Sequence, residues 1–418
     1  MKGAPKTAHV IGAGLAGLSA AVALTQAGYR VTLSEAARQA GGRCRSYRDP
    51  QLGLTIDNGN HLVLSGNQAV RAYLATIGAS DRLAGPEEAR FPFMDVASGA
   101  RWLLHPNAGP IPWWLFSKRR RVPGTAPLDY LALARLMGAS ADQTIGQVLR
   151  PKGALWERLL DSFLVSALNT PAQDGSAVLA GAIVRETLAK GGAACRPLIA
   201  EPTLAAAFVD PARAWLEARG ASIRLGRRLR GFEMVDGRVA ALDFADGREA
   251  IAGEEPVVLA VPAWVAADLI PGLVVPDRHH AIVNAHFLHP APAGAAPITG
   301  VIGGTAEWVF AFPDRLSTTV SAADALAEED REVVARKLWA DVAKVHDLPA
   351  ELPRWQIVTE KRATFSATPE QEKRRPGCRS SHDNLFLAGD WTRTGLPATI
   401  EGAIRSGRTA AAAVVNRD

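Results

Sequence analysis

Cysteine is scarce in this 418-residue chain, and Cys44, Cys195 and Cys378 stand too far apart for a disulfide framework or a structural zinc site. A reducing compartment fits that usage. Long apolar runs are also missing: no uninterrupted stretch reaches the ~18 residues of a membrane-spanning helix. The apolar start carries regular glycines and leads to a strand ending in an acid, which is not the pattern of a secretory signal. Charge of one sign is lacking too. Lys and Arg total 47 against 42 Asp and Glu, so the net +5 offers no dense basic face and nucleic acid is not an expected partner. His279, His280, His286 and His289 have no paired carboxylate motif beside them, so no metal is expected.

What is present is enough apolar material, 48% of residues, to bury two cores. The segment His9-Val-Ile-Gly12-Ala-Gly14-Leu15-Ala16-Gly17 reads as a strand, a tight turn and the start of a helix. Gly12 allows the turn, Gly14 lets backbone approach a pyrophosphate, and Gly17 lets the helix pack closely on the strand. The first helical amides, at Leu15 and Ala16, then face the phosphates. Gly28 ends the helix, and Tyr29 to Ser34 forms a second strand delivering Glu35 and Ala36. A carboxylate 23 residues after Gly12 suits both hydroxyls of an adenosine ribose and would repel a 2'-phosphate, which excludes NADP. Gly41-Gly42-Arg43 adds bare backbone amides and a guanidinium fork beside a phosphate.

In Gly41-Gly42-Arg43 and Asp57-Asn58-Gly59-Asn60-His61 the sequence resembles the FAD-binding amine oxidase and carotenoid desaturase superfamily. A second match lies near the end, in Leu385-Phe-Leu-Ala-Gly389-Asp390-Trp391 and Gly395-Leu-Pro-Ala398-Thr399-Ile400-Glu-Gly402. The resemblance implies FAD as cofactor, with Glu35 on the ribose, Arg43 near the pyrophosphate and Leu229 backbone at the adenine. It places Gly59, Asn60 and His61 beside the flavin, Asp390 at the ribityl and pyrophosphate region, and amides of Ala398, Thr399 and Ile400 at the isoalloxazine.

Within that superfamily, Asp57 to Asn67, Leu168-Asn169-Thr170-Pro171 and Thr394 to Ala403 resemble the squalene-associated branch, in particular the hydroxysqualene dehydroxylases of bacterial hopanoid synthesis. This implies reductive removal of a hydroxyl from hydroxysqualene or a related long isoprenoid lipid. No motif names the electron donor. His61 is the first candidate for the acid that assists hydroxyl departure, because imidazole titrates near neutrality, with Asn58 and Asn60 orienting substrate or flavin. Asn169 and Thr170 either line the site or cap the helix after Pro171. Two other readings stay open: a squalene or carotenoid desaturase running the hydride the other way, and a noncatalytic flavin-bearing lipid-binding protein.

The expected class is α/β, with a discontinuous Rossmann-like FAD-binding domain and a substrate domain of mixed sheet and helices. The FAD domain is assigned residues 1–85, 203–275 and 380–418, and the substrate domain 86–202 and 276–379. Turn dipeptides predict hairpins around Ser98-Gly99, Asp236-Gly237 and Asp246-Gly247, and the apolar spacing predicts a long helix from about Ala325 to His346. In residues 102–121, Trp113, Trp114 and Phe116 precede Lys118-Arg119-Arg120-Arg121. That segment is either a bilayer-facing element or an apolar hairpin packed on the substrate domain beside a solvated charge run. The expected location is cytoplasmic, with peripheral contact at the inner membrane face as the further expectation.

Overall fold

The computed structural model describes residues 6–417; residues 1–5 and 418, at the outer edges of the assigned FAD domain, lie outside the described residues. Two sheets share the chain by turns. The first takes β1 (Thr7–Ile11) and, after helix α1 (Leu15–Gln26), β2 (Arg30–Glu35). The second takes the hairpin β3 (Phe91–Asp95) and β4 (Arg101–Leu104), followed by helices α2 (Leu131–Met137), α3 (Asp161–Leu168) and α4 (Ala177–Glu186). The chain returns to the first sheet for β5 (Ser222–Leu225) and β6 (Val257–Leu259). It then adds β7 (His279–Phe287), β8 (Ile298–Ile302), β9 (Trp308–Ala311) and β10 (Leu316–Val320) to the second. Helix α5 (Arg331–His346) and β11 (Trp355–Phe365) complete that sheet, and β12 (Leu385–Leu387) with helix α6 (Ile400–Val415) rejoins the first.

The first sheet is parallel in the order β5-β2-β1-β6-β12. Its central strands are buried on both faces and read as apolar runs, as parallel strands covered by helices must. Helix α1 is small and apolar nearly all round because α6 lies directly against it. Gly407 is required there: a Cβ would collide with the Ala16 carbonyl. Ser19 Oγ donates to the Ile404 carbonyl at 2.8 Å, joining the two ends of the chain.

The second sheet is mixed, in the order β11-β7-β10-β9-β8-β3-β4, with β3 and β8 parallel and the other pairs antiparallel. One face packs on α5 through Val283, Ala285 and Phe287 against Leu338, Trp339 and Val342. Burying each of the Val, Leu and Phe side chains among them contributes roughly 1.5–3 kcal/mol. The opposite face, with Phe93, Trp308 and Phe310, belongs to one apolar cluster with helices α2 to α4.

The hairpins form where the turn residues predict, including the antiparallel strands Leu229–Val235, Arg238–Phe244 and Gly247–Ala250. Two local expectations change. The long helix begins at Arg331 because Asp330 caps it, accepting from Glu332 and Val333 amides at 2.9 and 3.2 Å; Leu326–Glu328 is a separate 3-10 turn. Asn169 ends the helix before it rather than capping the next, in the left-handed conformation at φ 47°, and Ser176 caps the next one.

Candidate functional site

The site begins where β1 turns into α1. Gly12 takes φ 104°, and a Cβ there would run into the Ala260 carbonyl. Gly14 starts the helix with no side-chain cap, and among the described residues, its chain neighbours apart, no heavy atom lies within 4 Å of where its Cβ would stand. The amides of Leu15, Ala16 and Gly17 begin this helix without a side-chain cap, the arrangement that receives phosphate. Gly17 is confined from the other side, since a Cβ would collide with the Gly12 carbonyl. Gly41 and Gly42 form the facing wall: both have positive φ, Gly41 N–H donates to the Ala13 carbonyl at 2.8 Å, and a Gly42 Cβ would approach Gly14 Cα to 3.3 Å.

Glu35 is held by backbone. Its two carboxylate oxygens accept from the Ala13 and Ala37 amides at 2.7 and 2.8 Å, across the exposed Ala36. Each oxygen keeps a lone pair, which suits two ribose hydroxyls. Arg227 N–H donates to the Glu35 carbonyl at 2.8 Å, which brings buried Leu229 alongside. At the other end Arg43 donates to Asp390 Oδ2 at 2.7 Å and to the Ala363 carbonyl. Burial alone would lower the Arg43 pKa, but Asp390 holds it above its ordinary value. Uncapped helix amides, close glycine walls, the backbone-held carboxylate and this fork together fit FAD.

The loop carrying Asp390 depends on residues that sequence reasoning missed. Arg375 is fully buried and donates to the carbonyls of Asp390 at 3.1 Å and Leu396 at 2.8 Å, to the Thr392 carbonyl at 2.5 and 2.9 Å, and to Glu372 at 2.6 Å. Ser406 Oγ accepts from Gly389 N–H at 2.9 Å. After half-buried Ala398, Thr399 caps α6 by accepting from Gly402 N–H at 3.0 Å, and Ile400 opens the helix. Glu401 turns instead to the Ala69 and Val70 amides at 3.0 and 2.9 Å.

The Asp57 to His61 loop lies against the second sheet. Asp57 is a loop-ordering group, bound to Ser46 Oγ at 2.5 Å and Leu204 N–H at 2.9 Å. Asn58 is buried, its amide 3.4 Å from Glu360. Gly59 is tight against Asn284, whose amide would lie 3.3 Å from a Cβ. Asn60 Nδ2 donates to the Thr318 carbonyl at 3.1 Å and Thr319 Oγ1 at 3.2 Å, while its Oδ1 is buried without a partner among the described residues. The His61 ring bonds the Arg43 backbone, but burial and the Arg43 charge push its pKa down to about 4. The expectation that His61 titrates near neutrality therefore fails, and the ring is neutral at pH 7.

A carboxylate that the sequence did not single out takes the opposite state. Glu307, just before β9, accepts from Ser166 Oγ of α3 at 3.0 Å and from Ser321 N–H at 3.1 Å. Trp308 Nε1 donates in turn to Ser166 Oγ at 2.6 Å. Burial pushes the Glu307 carboxyl up to about 7, and the hydrogen bonds from Ser321 and Ser166 only partly oppose it. Glu307 is half-buried. Its amide donates to the Thr319 carbonyl at 3.2 Å, so Glu307 and Asn60 flank the same residue of β10. Asn169 also meets this segment, accepting from Ala322 N–H at 2.6 Å.

Residues 15–415 match the family described as flavin containing amine oxidoreductase. The hydroxysqualene dehydroxylase of Sinorhizobium fredii (strain NBRC 101917 / NGR234) is 53% identical over 407 residues, covering 97% of this chain and 98% of that protein. The hydroxysqualene dehydroxylase of Zymomonas mobilis subsp. mobilis is 50% identical over 403 residues, covering 96% and 97%. The solved structure of cyclohexylamine oxidase from Brevibacterium oxydans IH-35A shares the fold, with a TM-score of 0.69 at 15% identity across 99% of both chains. The chain belongs to the flavin-containing amine oxidoreductases, within their hydroxysqualene dehydroxylase branch, and is an FAD-dependent oxidoreductase.

Proposed function

We propose that the protein removes the hydroxyl of hydroxysqualene reductively to give squalene, as a step of hopanoid formation. The observation that carries this reading is the near-complete alignment with dehydroxylases at 50–53% identity. The pairing of a proton-bearing carboxyl with an apolar sheet face supports it. In the reaction a C–O bond breaks, a C–H bond forms at the same carbon, and the hydroxyl leaves as water. Reduced FAD, when bound, supplies the hydride equivalent.

Hydroxide is a poor leaving group, so its departure needs a proton. Glu307 donates that proton, since burial raises its carboxyl to about 7 and about half of it still carries a proton at neutrality. Ser166 and Ser321 aim it and stabilise the carboxylate left behind. Asn60 Oδ1, without a partner among the described residues, accepts a hydrogen bond from the substrate hydroxyl, which keeps its hydrogen, and so orients the C–O bond. His61, neutral and tied to the Arg43 backbone, positions the loop. Phe93, Trp308 and Phe310 exclude water from the apolar chain.

Anaerobic mixing of the pre-reduced holoenzyme with hydroxysqualene tests the reading. One squalene formed per flavin reoxidised is the expected result; unchanged substrate, or a more unsaturated product from oxidised enzyme, would sink it.

A further inference from the structure

Five of the ten large apolar side chains exposed among the described residues converge on one surface. They are Ile111 (77% exposed), Trp113 (54%), Phe116 (77%), Leu128 (75%) and Leu131 (56%). They line an open groove with Pro112, Leu115 and Pro127, and no polar side chain enters it. Leaving so much apolar surface in water is costly, and a contiguous patch of this kind marks an interaction site.

The patch is held outward by a fixed frame. Asn107 donates to the Gly109 and Ile111 carbonyls, both at 3.0 Å, and accepts from Trp114 N–H at 3.2 Å. Trp114 points inward, buried edge-on against Tyr130 at 5.3 Å, and Tyr130 Oη accepts from Val122 N–H at 3.0 Å. Trp114 is thus a core residue, which corrects its placement with Trp113 and Phe116 on the expected membrane-facing side. Leu128 and Leu131 take that position, from a second segment.

The rim is cationic. Residues 111–131 hold Lys118, Arg119, Arg120 and Arg121 against the single acid Asp129, which is itself occupied by the Ala126 amide at 2.7 Å. Arg120 lies over the Trp113 ring at 4.8 Å, and Arg121 is bound to the Leu115 and Thr125 carbonyls. Lys118 and Arg119 are exposed and enter no ion pair among the described residues. Apolar side chains beside two exposed cations and an exposed tryptophan complement an anionic bilayer. Among the described residues no helix is long and apolar enough to cross a membrane, so the contact is one of surface insertion. Behind the patch, Trp114, Val122 and Tyr130 belong to the same buried apolar cluster as Phe93, Trp308 and Phe310.

We propose that this surface docks the protein on an anionic lipid bilayer and admits the isoprenoid substrate from it. The admission half rests on the proposed function; the docking half does not.

The test is co-sedimentation of the FAD-loaded protein with phosphatidylcholine vesicles, with and without phosphatidylglycerol. Wild type should bind, and more tightly with phosphatidylglycerol. Leu128→Ser/Leu131→Ser, with its flavin spectrum unchanged, should lose at least about tenfold in binding to both vesicles. Lys118→Glu/Arg119→Glu should lose only the phosphatidylglycerol advantage. With hydroxysqualene in vesicles the leucine double variant should turn over slowly, and with substrate in detergent at the wild-type rate. Docking is overturned if wild type stays in the supernatant, if the leucine variant binds like wild type, or if that variant instead abolishes self-association of a protein that ignores vesicles. Vesicle binding without turnover on any substrate would sink the function reading and leave docking standing.

Discussion

Around Arg43 the charges are paired: its guanidinium meets Asp390 at 2.7 Å, and the Asp390 loop is itself gripped by buried Arg375. Around Glu307 they are not. The Ser166 hydroxyl at 3.0 Å, the Ser321 amide at 3.1 Å and the Ser321 side chain hold the carboxyl, and burial keeps its proton on to about pH 7. The first arrangement binds, because a fixed ion pair keeps its geometry as the pH changes. The second is suited to give up a proton, because nothing nearby fixes its charge. On the proposed function, one redox site thus uses paired charge at the cofactor end and an unpaired acid at the substrate end.

The contrast breaks most visibly at Arg375. Arg375→Met leaves the Asp390, Thr392 and Leu396 carbonyls and Glu372 without their buried partner. Stability should fall by about 3–5 kcal/mol, with loss of bound FAD, measured by denaturant unfolding and flavin absorbance. Glu307→Gln should retain FAD and fold normally, while single-turnover dehydroxylation falls by about 100-fold or more. His61→Gln should matter least to turnover, under about tenfold, with no change in the pH profile.

His61 should show itself in acid stability instead. Its folded pKa of about 4 lies below the ordinary 6.5, so the unfolded chain takes up the proton first. That contribution is constant above about pH 6.5 and is lost as pH falls toward 4, and the His61→Gln variant should lose less stability than wild type across that window.

The same two regions differ in how far the sequence reveals them. The Gly12 to Gly17 turn, the Glu35 position and the Gly41-Gly42-Arg43 loop are local, because glycine spacing dictates backbone geometry within a few residues. Glu307 carries no such mark. Its burial comes from α3 laid across the start of β9, and Ser166 is 141 residues away in sequence. Arg375 follows Lys373 and Arg374 and looks like part of a solvated basic run until the fold wraps five backbone and side-chain acceptors around it. Leu128 and Leu131 have the spacing of a helix's inner face, yet that face is left outside. Asn169 could have been placed better, since asparagine tolerates the left-handed conformation that ends a helix.

The pH dependence of single-turnover dehydroxylation, measured on pre-reduced wild type and Glu307→Gln side by side, tests the division of labour most directly. Wild-type rate should be level in mild acid and fall as pH rises through about 7, while the variant is slow and flat across that range. A Glu307→Gln enzyme that keeps the wild-type rate and the same fall near pH 7 would contradict it.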